Sequence, residues 1–140
     1  MSKILITYLS HTGITKRYAE EISGYLKSKG NEVQNTAIED FSPEMLSDAD
    51  TLLFGAWTHG LMICLQHPDK PWRKFVETLP DLNGKKTGLF TTYKLATGSM
   101  FKKMRKILYQ KSNVPAVELK SKNGSLSPND KLILDEFIKN

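Results

Sequence analysis

Three short apolar runs, each followed by a stretch with helical spacing, constrain this chain more than any other feature. They are Ile4-Leu5-Ile6-Thr7-Tyr8-Leu9, Asp50-Thr51-Leu52-Leu53-Phe54-Gly55 and Lys86-Thr87-Gly88-Leu89-Phe90-Thr91-Thr92. Continuous runs of this length read as strands buried on both faces, the pattern of a parallel sheet covered by helices. The apolar positions Tyr18, Ala19, Ile22, Tyr25 and Leu26 make one helical face, and Trp72, Phe75, Val76 and Leu79 make another. Met100 to Lys111 turns Met104, Ile107 and Leu108 inward, and a closing helix carries Leu132, Ile133, Phe137 and Ile138. Two weaker strands complete the pattern, Glu32 to Ile38 as an edge and Val114 to Leu119 with Pro115 near its start. Ser42-Pro43 and Ser127-Pro128 each read as a helix cap followed by proline in the first turn. Five strands alternating with five helices, with no repeat or linker between them, predict one α/β domain over residues 1–140, a doubly wound five-stranded parallel sheet with helices on both faces.

At 140 residues such a domain buries a core without disulfides, and its one cysteine, Cys64, has no internal partner. No secretory signal stands out, and no apolar run approaches the roughly 20 residues that span a bilayer. An intracellular, cytoplasmic protein without membrane insertion is expected. The net charge of +5 is unevenly spread: residues 1–69 hold five Lys/Arg against nine Asp/Glu, and residues 70–125 hold thirteen against three. A basic concentration of this kind is either a solvated face or a surface for an acidic partner, nucleic acid or an anionic membrane.

Ligands of doubly wound sheets bind beyond the carboxyl ends of the strands. That singles out the loops Ser10–Thr15, Ala56–Gly60 and Thr92–Gly98. The first is Ser10-His11-Thr12-Gly13-Ile14-Thr15, a turn of hydroxyls around one glycine. A strand feeding a helix through such a turn brings unpaired N–H groups and the positive helix end to one point, which suits phosphate. Ser and Thr are also favoured as plain helix caps, and the turn alone allows both readings. Other chemistry is thin. His11, His59 and His67 lack the spacing of a metal site, and no Ser/His/Asp signature or nucleophile elbow is present. Neither a metal nor a catalytic residue is assigned. Leu9-Ser10 stands where a phosphate-accepting receiver domain needs an acidic pair.

Taken together, the three loops resemble those of the short-chain flavodoxins, over nearly the whole chain. The opening loop matches that family's motif for the phosphate of flavin mononucleotide (FMN), with His11 and Ile14 at variable or less usual positions. Gly55-Ala56-Trp57-Thr58-His59-Gly60 falls where the family has the loop against the inner flavin face, and Gly88 to Gly98 where it has the outer loop. The resemblance implies a strand order of 2-1-3-4-5 and FMN as cofactor. It implies that Ser10, His11, Thr12, Gly13, Ile14 and Thr15 hold the phosphate, with Trp57, Thr58, His59 and Gly60 on the inner side and Thr92, Tyr93, Lys94 and Leu95 on the outer. Gly60 matches the glycine whose peptide turns toward flavin N5 on reduction, a movement that a side chain hinders. His59 falls where the family often has Trp or Met.

The sequence also departs from the family. The outer stacking aromatic falls on Leu95 in an ungapped reading, with Tyr93 two residues earlier. Leu61 and Met62 follow Gly60 where carboxylates are common, and Lys94 adds a cation. The usual acidic rim is missing, so the family's very low potential and basic redox partner need not carry over. The resemblance implies a soluble low-potential electron carrier between redox partner proteins and a monomer, and the missing acidic rim opens the way to acidic partners here. An FMN oxidoreductase acting on a quinone or similar small molecule, with Leu61-Met62-Ile63 as substrate wall, remains an alternative, as does a flavin-free binding module using the basic face.

Overall fold

The structure, a computed structural model, describes residues 2–58, 70–82, 84–94, 97–109, 111 and 115–139. Among these residues the strands β1 (Lys3–Leu9), β2 (Glu32–Ala37), β3 (Thr51–Trp57), β4 (Lys86–Thr92) and β5 (Val117–Ser121) form one sheet in the order β2-β1-β3-β4-β5. Every adjacent pair is parallel. The helices are α1 (Ile14–Ser28), α2 (Glu44–Ser47), α3 (Lys70–Glu77), α4 (Met100–Leu108) and α5 (Pro128–Ile138). The expected doubly wound order is therefore the observed one.

The apolar strands are explained by the two layers that cover them. Along β1 successive side chains point to opposite faces: Ile4, Ile6 and Tyr8 pack with Tyr18, Ile22 and Leu26 of α1 and with Leu134 and Phe137 of α5. Leu5 joins the other layer, with Trp72 and Val76 of α3 and Met104 and Leu108 of α4. A polar residue at either parity would be buried, so the alternation of a half-exposed strand is absent.

A chain of contacts joins α1, the sheet and α5 in the first layer. Gly55 has no side chain because the Phe90 ring lies where its Cβ would stand. Phe90 meets Tyr18 edge-on, with ring centroids 5.9 Å apart and planes at 80°. The Tyr18 hydroxyl donates to Asp130 Oδ2 at 2.9 Å in the core. Burial foremost, and then the neighbouring Asp130 carboxylate, push the Tyr18 phenol well above its ordinary pKa, so it remains a donor. The same carboxylate oxygen accepts from the Ser127 amide at 3.2 Å while Ser127 Oγ accepts from the Asp130 amide at 3.0 Å, a complete capping box.

Several expected boundaries move. The Ser127-Pro128 cap is confirmed, but at Ser42-Pro43 helix α2 starts one residue late, after Pro43, with no side-chain cap. Three residues after Ser42 stands Met45, which cannot complete a box, whereas three after Ser127 stands Asp130; Ser42 Oγ donates instead to Glu44 Oε2 at 2.6 Å. Strand β3 runs past Gly55 through Ala56 and Trp57, because both still find partners, Ala56 opposite Leu9 and Trp57 opposite Thr92. Strand β5 begins at Val117 rather than Val114 and runs on to Ser121, its register with β4 starting at Gly88 opposite Val117. Pro115 has no N–H to offer a ladder. Ile38 opens a short 3-10 turn instead of ending β2, and α4 stops at Leu108 rather than Lys111.

Removing the Asp130 carboxylate takes away the cap and the Tyr18 partner together. Asp130→Ala is expected to destabilise the fold by roughly 2–4 kcal/mol, against about 1 kcal/mol for Ser127→Ala, which removes only a cap. Urea denaturation of the two variants checks the order.

Candidate functional site

Because all strands run the same way, the ends of β1, β3, β4 and β5 share one edge. The turn after β1 is set by Gly13, at φ 91°, which serves as N-cap of α1 without a side-chain bond to the helix. That left-handed conformation is strained for any residue with a Cβ. Ser10 closes the turn behind it: its Oγ accepts from the Gly13 amide at 3.0 Å and the Lys16 amide at 3.3 Å. Ser10 thus acts as the internal brace of the loop. Ile14 and Thr15 open the helix, where backbone N–H groups have no intrahelical acceptor. His11, Thr12, Gly13 and Ile14 are exposed, while Thr15 is buried.

Threonine hydroxyls tie this turn to the ends of β3 and β4. Thr15 Oγ1 and Thr92 Oγ1 lie 2.6 Å apart, joining the first turn of α1 to the end of β4. The Thr58 amide donates to the Thr92 carbonyl at 2.7 Å, carrying the β3–β4 pairing one residue beyond the strand. On the other face of β4, Thr91 Oγ1 bonds the Ala56 carbonyl at 2.6 Å and lies 2.9 Å from Thr58 Oγ1. Thr15, Thr58, Thr91 and Thr92 are all buried. A second link crosses from the turn after β1 to the end of β3, where the His11 and Trp57 rings stack at 4.7 Å with planes 22° apart.

The loop after β4 is anchored to β5, since the Tyr93 amide donates to the Ser121 carbonyl at 3.2 Å. Lys122 Nζ stands 5.9 Å from the centroid of the Tyr93 ring. Tyr93 is half-buried and Lys94 exposed. The turn that follows β5 is held by Ser121 Oγ, which accepts from the Gly124 amide at 3.0 Å and donates to the Ser125 carbonyl at 3.1 Å.

Of the residues singled out in the sequence, Ser10 to Thr15, Trp57, Thr58, Thr92, Tyr93 and Lys94 gather at this edge. His59, Gly60 and Leu95 lie outside the described residues, as do Leu61, Met62, Ile63, Cys64 and His67. Trp57 is the last residue of β3 rather than a loop residue. Sequence reasoning missed Thr91, Ser121 and Lys122. The Thr91-Thr92 pair at a strand end carried a signal, because alternate side chains there reach opposite faces. Among the described residues no group of His, Cys, Asp and Glu is placed to hold a metal, and no helix is long and apolar enough to cross a membrane.

Residues 5–130 match the flavodoxin domain family. The chain is 32% identical over 93 residues to a flavodoxin of Megasphaera elsdenii, covering 66% of this chain and 66% of that one, so the match spans about two thirds of the relative's length. The solution structure of the two-electron reduced Megasphaera elsdenii flavodoxin superposes with a TM-score of 0.77 at 21% identity, over 96% of this chain and 97% of that chain. A Fusobacterium nucleatum flavodoxin variant bound to flavin mononucleotide gives a TM-score of 0.66 at 20% identity, over 99% of this chain and 94% of that chain. These two structures share the fold of this chain.

The threonine ties make a stability prediction. Thr91→Val leaves the shape of the side chain but removes the bond to Ala56 and a partner of Thr58. It is expected to cost about 1–3 kcal/mol in chemical denaturation, while Thr12→Val, at an exposed position, stays within about 0.5 kcal/mol of the parent.

Proposed function

This chain belongs to the flavodoxin family, and we propose on that footing that it binds FMN as a single domain and carries electrons between redox partner proteins. The supporting observation is the meeting of the turn after β1 with the ends of β3 and β4 through the Thr15–Thr92 and Thr58–Thr92 bonds. The turn fits a phosphate: Gly13 keeps it tight, the amides of Ile14 and Thr15 begin a helix, and no carboxylate stands in that helix's first turn. We assign Ser10, His11, Thr12, Gly13, Ile14 and Thr15 to the phosphate. Ser10 holds the turn in shape, and the Thr12 hydroxyl is the exposed donor. Trp57, Thr58, His59 and Gly60 are assigned to the inner side of the flavin, and Thr92, Tyr93, Lys94 and Leu95 to the outer side.

A bound flavin supplies one- and two-electron chemistry, which the side chains at this edge do not provide themselves. The chain's task is to hold the ring between two walls and to anchor the phosphate at the exposed turn after β1. The buried threonines suit this task. Their hydroxyls are already satisfied by one another or by backbone carbonyls, so the walls keep their spacing whether or not a ligand is present.

Calorimetric titration with FMN and with riboflavin, which lacks the phosphate, tests the assignment. FMN is expected to bind more tightly than riboflavin. Thr12→Val should weaken FMN by roughly 1–3 kcal/mol, as expected for one lost hydrogen bond to a charged group, and leave riboflavin unchanged. Equal affinity for the two ligands, or a Thr12→Val variant that binds FMN like the parent, would overturn the phosphate site.

A further inference from the structure

We propose that the basic corner made by the start of α4, the end of β5 and the turn after β4 is a docking surface for an acidic face of a partner redox protein. The inference rests on the electron-carrier reading above and names the partner's charge and the surface that it meets. Between residues 91 and 125 eight Lys or Arg residues stand against one carboxylate, Glu118. That carboxylate is already compensated, because Arg105 Nη1 bonds both of its oxygens, at 2.8 and 3.0 Å. The remaining cations of the corner have no carboxylate of their own segment to answer them.

The Arg105–Glu118 pair also fixes where those cations lie. It ties α4 to β5, and α4 starts at the edge where β4 ends. Lys102 is one helical turn nearer that edge than Arg105, and Lys120 is one same-face step nearer it than Glu118. Both are exposed. Lys122 follows with its ammonium over the Tyr93 ring, and Lys94 is the next residue after Tyr93. Two of these cations, Lys94 and Lys122, therefore stand beside a residue assigned to the outer flavin wall, and Lys102 and Lys120 lie toward the same edge. The turn after β5 continues the patch to α1, since a Cβ at Gly124 would stand 2.8 Å from the Ile14 carbonyl and 3.2 Å from Arg17 Cβ.

Their signs run against the stability of the helices that carry them. The N-terminal end of a helix favours carboxylates and is repelled by cations. The first turns of α2 and α5 follow that rule with Glu44 and Asp130. Those of α1 and α4 contain no acidic residue and are followed or occupied by Lys16, Arg17, Lys102 and Lys103. The two helix dipoles and these side chains add to one positive field at the edge through which an electron would pass, and an acidic protein face is its complement.

The test titrates the chain, FMN-loaded and FMN-free, with an acidic plant-type ferredoxin and with basic cytochrome c as probes. Ferredoxin is expected to bind at low salt and to weaken at least tenfold as NaCl rises from about 20 to about 300 mM, with cytochrome c showing no binding. Lys102→Glu with Lys122→Glu should weaken ferredoxin tenfold or more. Lys27→Glu with Lys74→Glu, the same charge change at the far ends of α1 and α3, should not. Equal loss in the two double variants, salt-independent binding, a preference for cytochrome c, or tighter binding of a duplex DNA oligonucleotide than of ferredoxin would each overturn the proposal. Ferredoxin binding by a chain that takes up no FMN would retain the surface and refute the carrier reading, so the two failures are distinct.

Discussion

The parallel register of the sheet is the constraint on which everything else here depends. With β1, β3, β4 and β5 all running the same way, each strand-to-helix connection leaves at one edge. Ser10 and Tyr93 are far apart in sequence, yet the pairing of Leu9 with Ala56 and of Trp57 with Thr92 brings their segments together. The same arrangement forces both faces of the strands to be apolar and sets helices on each side. A fold stable for reasons of burial thereby delivers helix N-termini and strand-end hydroxyls to one place.

Beneath that edge, two sets of contacts hold the geometry. Thr15–Thr92 and Thr58–Thr91 join the loops directly, each as a buried pair whose separation would leave an unsatisfied hydroxyl. One layer down, Phe90 lies over Gly55, Tyr18 meets Phe90, and Tyr18 donates to Asp130, so that α1 is located against both β4 and α5. The start of α1 is thus positioned by its own first turn and by a core contact one helical turn later. That double support matters because Gly13, at the N-cap, has no side chain to bond the helix, and Ser10 Oγ reaches only as far as the Lys16 amide, at 3.3 Å.

Much of this was legible in the sequence, and the parts that were not share a cause. The apolar runs revealed the central strands because burial on two faces leaves a continuous signal. The ends of β3 and β5 were misplaced because Trp57 and Ser121 are held in the sheet by partners far away in the chain. The two Ser-Pro pairs look alike, yet only Ser127 has an acidic residue three positions later, and only Ser127 caps. Among the site residues, the hydroxyl turn was visible as a motif. The role of Thr91 was hidden because it depends on Ala56 and Thr58 across a strand pair, and that of Lys122 because Tyr93 reaches it only through the β4–β5 register.

The central claim is that these strand-end loops form one flavin site, with walls set by the sheet rather than by the ligand. The most direct measurement is the visible spectrum of the FMN-reconstituted protein, taken after gel filtration and followed through stepwise anaerobic reduction. The account predicts flavin absorbance that co-elutes with the protein in stoichiometric amount, a spectrum shifted from that of free FMN, and reduction in two separable one-electron stages. A colourless protein peak, or a flavin that elutes separately and is reduced as free FMN is, would contradict it.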